Sequence, residues 1–133
     1  PNANCRIFPD QPQEEIRKKL ETANADAEVK VTLQAEPETP SPAPPLTPEI
    51  LGPIERLTDD MWPGVPVVPT MAAGATDGRF LTPIGIPTYG VSGIFADPAT
   101  TNAHGLNERV PVKSLMEGRV FLYRLTKMYA GGK

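Results

Sequence analysis

One short segment combines side-chain types that could do metal chemistry. His104, the only histidine of the 133 residues, stands in a polar loop with Gly105 and is followed four positions later by Glu108. A neutral imidazole is the commonest metal ligand in proteins, and loops can present such side chains from a rigid scaffold. A lone loop histidine is more often a solvated side chain. The segment by itself therefore leaves both roles open.

One histidine cannot hold a catalytic metal. A catalytic zinc takes about three protein ligands from His, Cys, Asp or Glu and keeps one position open for water. The chain has no H-x-D, H-E-x-x-H or C-x-x-C motif, and Glu14-Glu15 falls in the first turn of a predicted helix, where acids favour the helix dipole. If His104 binds a metal, its co-ligands lie on residues that this chain lacks. We therefore expect the chain to be a piece of something larger.

A second enzyme class would use Cys5 and His104 as a nucleophile and its base. Cys5 alternates with Arg6 and shares a predicted strand face with Ile7, which indicates core packing. No acid that could orient the histidine is evident. The pattern disfavours this chemistry.

Composition excludes some partners. The net charge is −3, and no extended basic patch of the kind that binds nucleic acid is present. No apolar run approaches the roughly 20 residues of a membrane span. The single Cys5 excludes an internal disulfide. Because the chain begins at Pro1, the absence of a signal peptide is uninformative and the compartment stays unassigned.

The first part of the chain has the pattern of a small strand–helix–strand unit. Residues 4–8 and 29–34 alternate as strands do, and residues 12–24 carry a helical apolar stripe. Such a unit is too small to bury a stable core alone. A proline-rich run over residues 37–48 then predicts an extended, semi-rigid connector.

The second part, residues 49–133, has an α/β pattern. Its first helix should begin at Thr47-Pro48, and Pro53 should kink or divide it. Residues 65–69 and 85–91 look like strands interrupted by proline. The last helix, over residues 113–130, is apolar on a wide face that should pack against a sheet. This predicted face comprises Leu115, Leu122, Leu125 and Tyr129, with Met116, Val120 and Tyr123 beside it.

Three segments in order resemble a known enzyme family. They are Asn-Cys-Arg-Ile-Phe-Pro at 4–9, Gly-Ala-Thr-Asp-Gly-Arg-Phe at 74–80 and His-Gly-Leu-Asn-Glu-Arg-Val-Pro at 104–111, with Gly-Ile-Pro-Thr-Tyr-Gly between the last two. The chain resembles the zinc-dependent exopeptidases and amidohydrolases that include glutamate carboxypeptidase, aminoacylase, acetylornithine deacetylase and succinyl-diaminopimelate desuccinylase. The sequence of these segments is most similar to the carboxypeptidase branch, and the resemblance covers nearly the whole chain.

The resemblance implies a partial two-domain metallopeptidase of the α/β class. In that family a catalytic domain with two metal ions is interrupted by a lid domain that also forms the homodimer. Residues 1–36 would then be the strand–helix–strand end of the lid, and residues 49–133 the C-terminal part of the catalytic domain. The family's other metal ligands and its general-base glutamate would precede this chain, which would be a C-terminal fragment.

The resemblance also assigns roles to individual residues. His104 matches the family's last metal ligand, and Glu108 would orient that imidazole or the loop, although a surface acid is as good a reading. Arg6 matches an arginine of the lid that grips the substrate carboxylate with two parallel bonds. The strand pattern alone favours an arginine that faces water, and the resemblance reverses that preference. Gly74 and Ala75 match a turn whose backbone N–H groups meet that carboxylate.

Several neighbouring features complete the interpretation. Relatives often carry a second glycine or a serine near Ala75, which puts the contact there in doubt. Asp77 should cap a short turn at 78–81. Arg79 could reach the pocket, but a structural pair with an acid is the better reading.

The implied function is hydrolysis of a peptide or N-acyl amide bond next to a free carboxylate. The implied cofactor is zinc, two ions in the parent enzyme, with other divalent metals possible. The implied substrate is a small peptide or N-acyl amino acid, and this chain alone should be inactive. The alternative is a non-catalytic scaffold or interaction module.

Overall fold

The computed structural model describes residues 2–34, 41–72, 74 and 76–131. Five α-helices and one 3-10 helix form in these ranges. They are α1 (Gln13–Asn24), α2 (Pro48–Met61), α3 (Gly78–Leu81), the 3-10 helix Thr82–Ile84, α4 (Pro98–Thr101) and α5 (Val112–Tyr129). No helix in the described ranges has the length and apolar character that crossing a membrane requires.

The chain divides into two compact units. Unit 1 comprises Pro1–Pro45 and Met71–Tyr89, and unit 2 comprises Leu46–Thr70 and Gly90–Lys133. The predicted domain boundaries at residues 36 and 49 stay a prediction. Part of the predicted connector, residues 37–40, lies outside the described residues, and its residues 41–45 belong to unit 1.

The long helices form where the sequence predicts them. α1 and α5 agree with the predicted ranges to within one residue at each end, and α2 begins at Pro48 with Thr47 as its N-cap. Pro at the first helical position loses no hydrogen bond, because that N–H has no partner inside the helix. Pro53 does not divide the helix, since α2 continues through it to Met61, and the alternative that it kinks the helix stays a prediction.

The core of unit 2 lies between α2 and α5. Ile54 and Leu57 of α2 are buried against Phe121 and Leu125 of α5. The Trp62 ring follows α2 and meets Phe121, with their ring centres 5.4 Å apart. Burying each such side chain contributes about 1.5–3 kcal/mol to stability. This cluster is therefore the main stabilising contact of unit 2.

The predicted inward face of α5 was wrong. Among its predicted apolar residues only Leu125 is buried, and the others are exposed. The buried positions of the helix are Ser114, Gly118, Phe121 and Leu125. The small residues Ser114 and Gly118 let the backbone of residues 92–95 approach closely, and the Ser114 Oγ accepts a hydrogen bond from the Phe95 N–H at 2.6 Å. Small residues therefore define this face as much as large ones do.

The predicted strands do not form. All of residues 4–8, 29–34, 65–69 and 85–91 are described, and none is assigned to a strand. A strand exists only through its ladder of hydrogen bonds, and the described backbone shows none joining these segments. Pro66, Pro69 and Pro87 also remove donors from the later two segments. The strand–helix–strand arrangement is therefore present only as its helix.

The reason why the predicted strands do not form is clearest in the N-terminal segment of unit 1. Residues of two segments line a cavity of about 660 Å³ together with α1: Asn2, Ala3, Cys5 and Ile7 from the first, and residues 29–34 from the second. No α1 residue is buried, although Ile16 and Leu20 of its apolar stripe face this cavity. The alternating patterns are present, but no partner strand in the described residues completes the ladder.

Candidate functional site

The loop that carries His104 is fixed at its first end by a short capped helix. Asp97 caps α4 by accepting a hydrogen bond from the Ala99 N–H at 2.9 Å, and Pro98 occupies the first helical position. Asn102 then ends α4 in the left-handed conformation, with φ of 50°. An asparagine is one of the few residues with a side chain that tolerates this conformation at a helix end.

The second end of the loop is closed by backbone hydrogen bonds. The Arg109 N–H donates to the carbonyl of Thr101 at 3.0 Å, and the Glu108 N–H donates to that of Gly105 at 3.3 Å. Pro111 is the N-cap of α5 and is extended, so the chain enters the long helix directly. The loop is thus held between two helices of unit 2.

His104 itself has an unusual backbone and a free side chain. Its φ is 62°, in the left-handed region that few residues with a Cβ adopt. The side chain is exposed and makes no hydrogen bond or ion pair with any described residue. Residues held in this region cluster at functional sites. The imidazole therefore has both ring nitrogens open to a ligand from outside the described residues.

Glu108 does not support the imidazole in this structure. Its carboxylate makes no hydrogen bond or ion pair with His104 or any other described residue. Its role in orienting His104 stays a prediction. Leu106, two residues after His104, is completely exposed, so this end of the loop presents an apolar and an imidazole side chain together.

The donor set tests whether a metal fits. A single exposed imidazole is suitable as one zinc ligand. No group of three or more His, Cys, Asp or Glu side chains that could hold a metal occurs within the described ranges. The described residues thus fit the role of one ligand and do not form a complete metal site.

The segment around Gly74 borders a different cavity, in unit 1. The cavity has a volume of about 350 Å³ and is lined by residues 7–11, by Ser41, Pro42 and Pro44, and by Gly74, Thr76 and Arg79. Gly74 is exposed, and a Cβ added to it would meet no atom within 4 Å. Neither a tight contact nor a left-handed φ therefore explains a glycine at this position, and its backbone is open to the cavity.

Arg6 and Ala75, the other predicted substrate residues, are placed differently. Arg6 is exposed and does not line this cavity, although its neighbours Ile7 and Phe8 do. Ala75 lies outside the described residues. Gly74 and the residues that follow Arg6 thus line the same cavity, but the Arg6 guanidinium does not lie in it.

Two sequence-based expectations in the same region had mixed outcomes. α3 begins after Asp77 as predicted, but the Asp77 side chain makes no cap hydrogen bond; the Gly78 N–H instead lies 3.3 Å from the Thr76 hydroxyl, which accepts its hydrogen bond. The guanidinium of Arg79 lies 4.9 Å from the centre of the Phe80 ring. Arg79 lines the cavity. In the sequence, only its place in the motif at 74–80 indicated such a position.

Comparison with known proteins gives one match. The family model of the peptidase family M20/M25/M40 matches residues 3–128, nearly the whole chain. Searches of curated proteins and of solved structures found no significant match.

Proposed function

The chain belongs to the peptidase family M20/M25/M40, and we propose that it supplies His104 as one zinc ligand of a peptidase that cleaves next to a free carboxylate. Peptidases of this family are generally metal-dependent, commonly on zinc. The family match carries the proposal, because it covers both the His104 loop and the Gly74 segment. The exposed, unbonded imidazole of His104 supports it.

The remaining parts of the metal site come, in this proposal, from residues beyond the described ones. The enzyme would hold two zinc ions, and other divalent metals could replace them. Zinc in such a site polarises the scissile carbonyl and lowers the pKa of a water molecule. His104 would contribute a neutral imidazole nitrogen. The Glu108 side chain would turn toward this imidazole and orient it. The 133 residues alone would be inactive because they lack the general base.

Substrate binding in this proposal involves unit 1. The open backbone at Gly74 would meet the carboxylate of a small peptide or N-acyl amino acid, with Ala75 beside it. Arg6 would clamp the same carboxylate through a bidentate pair after a change of side-chain rotamer. The cavity of about 350 Å³ at Gly74 has the size of a small-molecule site and supports this placement.

The first 36 residues would belong to a lid domain through which the enzyme forms a homodimer. The strand-patterned segments 4–8 and 29–34 support this part of the proposal, because their backbones lack ladder partners among the described residues. A light-scattering mass of one subunit for the complete enzyme would contradict it.

The test compares zinc binding and hydrolysis in the 133-residue chain and in the complete enzyme. We expect weak zinc binding and no hydrolysis by the chain, and tight stoichiometric binding with hydrolysis of N-acyl amino acids by the complete enzyme. His104→Ala in the complete enzyme should remove zinc and lower turnover by several orders of magnitude, as the loss of metal activation implies. Asn107→Ala, a change in the same loop without metal-ligating character, is the control. Full zinc content and normal turnover in His104→Ala would overturn the proposal.

A non-catalytic scaffold is the second candidate. It is favoured by the exposed apolar residues of α5, among them Val112, Met116 and Tyr123, on the side away from the core. The same zinc titration separates the two functions, because a scaffold would bind no zinc through His104 in either form of the protein.

A further inference from the structure

Residues 41–45 form a stiff, extended segment of unit 1. The prolines at 42, 44 and 45 have φ fixed by their rings. Ser41, Ala43 and Pro44 each precede a proline, which restricts them to extended backbone. No residue of the segment is assigned to a helix or a strand. These restrictions select polyproline II, which has three residues per turn, so the segment is a short rod whose shape is set before any partner binds.

Two hydrogen bonds tie this rod to the rest of unit 1. The Asp10 N–H donates to the Ser41 carbonyl at 3.3 Å, and the Tyr89 hydroxyl donates to the Pro45 carbonyl. Asp10, Tyr89 and the rod all belong to unit 1. Because both ends are held, the rod is an edge of the folded unit and not a loose connector. A partner that binds it therefore pays little for ordering it.

The exposure of the side chains follows the threefold period of the rod. Ser41 and Pro44, three positions apart, are half-buried, whereas Pro42, Ala43 and Pro45 are exposed. Pro42 also borders the cavity of about 350 Å³ in unit 1. A proline ring is closed on its own backbone, so it cannot rotate away from the position in which the backbone places it. The rod thus presents two exposed prolines in the spacing Pro-x-x-Pro.

The backbone and the charge of this region also have the character of a ligand. In the part of the chain that the structure describes, no group donates a hydrogen bond to the carbonyls of Pro42, Ala43 or Pro44. Between Lys30 and Arg56 the sequence contains four glutamates and no lysine or arginine. A fitting partner supplies apolar rings for the prolines, hydrogen-bond donors for the carbonyls and basic side chains around them.

We propose that the exposed side of residues 41–45 is a docking site for a protein domain that has a shallow aromatic groove with a basic rim. Grooves lined by aromatic rings, as in WW and SH3 domains, bind Pro-x-x-Pro segments because the polyproline II helix is already formed. The site depends neither on His104 nor on zinc. It adds a protein partner to the proposed function.

The experiment measures the binding of purified WW and SH3 domains with basic groove rims to the complete protein, by isothermal titration calorimetry. We expect saturable binding that weakens as the salt concentration rises, because the rim contacts are ionic. The double variant Pro42→Ala/Pro45→Ala should weaken binding by about 10-fold, which corresponds to about 1.4 kcal/mol. Pro44→Ala is the matched control. It loses a similar backbone restraint, but its ring lies on the half-buried side of the rod, so it should weaken binding much less.

A synthetic peptide of residues 36–48 makes the test independent of folding. The peptide should compete with the complete protein for the same domain, and the peptide with both Pro42→Ala and Pro45→Ala should compete about 10-fold less well. Absence of binding by both protein and peptide to all of these domains would overturn the proposal. Binding of the peptide without binding of the protein would show that the segment is covered in the folded chain, and would overturn it too. Equal losses in Pro44→Ala and in the double variant would show that the exposed prolines are not the contact surface, with the same consequence.

Discussion

The ring of Phe121 lies against the backbone of Gly93, so closely that a Cβ on that glycine would stand 2.7 Å from the ring atoms Cγ and Cδ1. Phe121 is only 2 % exposed and is one of the two most deeply buried large side chains in the described residues. The contact joins the segment after residue 90 to the centre of the α2–α5 core. It therefore couples the region that leads to α4 and the His104 loop to the most stable part of unit 2.

Removal of the Phe121 ring should destabilise the chain strongly. Phe121→Ala should lower the free energy of unfolding by about 3–5 kcal/mol, because it removes buried apolar contacts and leaves a cavity. Tyr123→Ala, an aromatic truncation on the exposed side of the same helix, should change it by only about 0.5 kcal/mol. Urea denaturation followed by circular dichroism gives both values. Similar losses in the two variants would mean that the ring is not the centre of the core.

An alanine at Gly93 should be poorly tolerated for two independent reasons. Its φ is 63°, which costs a residue with a Cβ about 1–2 kcal/mol, and the added carbon would also strike the Phe121 ring. We expect Gly93→Ala to lower the melting temperature clearly, with Gly90→Ala, which meets open space, as the control. Equal melting temperatures for the two variants would contradict the close approach of Gly93 and Phe121.

The ion pair between Arg124 of α5 and Asp60 of α2 should contribute little. The Arg124 Nη2 and Asp60 Oδ2 atoms are 2.7 Å apart, but the two side chains are 45 % and 60 % exposed. Exposed pairs of this kind are worth about 0.2–1 kcal/mol and are screened by salt. A double-mutant cycle with Arg124→Gln and Asp60→Asn should give a coupling energy in that range that falls at high salt. A coupling well above that range would show that the pair is protected from solvent.

The Glu14 carboxylate should titrate below its usual range. The Arg17 Nε donates to both Glu14 carboxylate oxygens at 2.9 Å, and this hydrogen bond lowers the pKa of Glu14 from its ordinary value of 4.5. Because the pKa is lower in the folded state, the resulting stability is present above pH 4.5 and is lost as the pH falls through the lowered pKa. Carboxyl-carbon NMR should give a midpoint below 4.5 that rises in Arg17→Gln. An unchanged midpoint in that variant would mean that Arg17 does not cause the shift.

The sequence predicts the helices well and the contacts poorly, for a physical reason. The apolar period of residues 113–130 specifies a helix, and α5 forms there to within one residue at each end. The same period places Leu115 and Leu122 inward, whereas Ser114 and Gly118 are buried. Apolarity does not reveal where a neighbouring backbone needs room, and that need determines the inward face.

The strands and the candidate site show the same limit. Residues 29–34 alternate as a strand does, but a strand requires a partner, and alternation does not say whether one is present. Residue type and motif predict His104 as a metal ligand. Its left-handed backbone depends on turn geometry that one sequence does not specify.

Arg6 is assigned to the substrate carboxylate by the resemblance, and the structure places its neighbours Ile7 and Phe8 in the wall of the cavity at Gly74. Arg6→Lys in the complete enzyme keeps the charge but loses the planar, bidentate geometry. Substrate binding should weaken by about 1.5–3 kcal/mol, the range for a hydrogen bond to a charged group. Most of that loss should vanish for a substrate whose carboxylate is amidated, because the partner is then absent.

Kinetics on the matched acid and amide substrates, with folding checked by thermal melting, give the measurement. The control is Lys30→Arg, which makes the reverse exchange at an exposed position of the same unit. It should leave the ratio of the activities on the acid and amide substrates unchanged. If Arg6→Lys loses the same factor on both substrates, Arg6 does not bind the carboxylate, and the cavity at Gly74 must recognise it without this guanidinium.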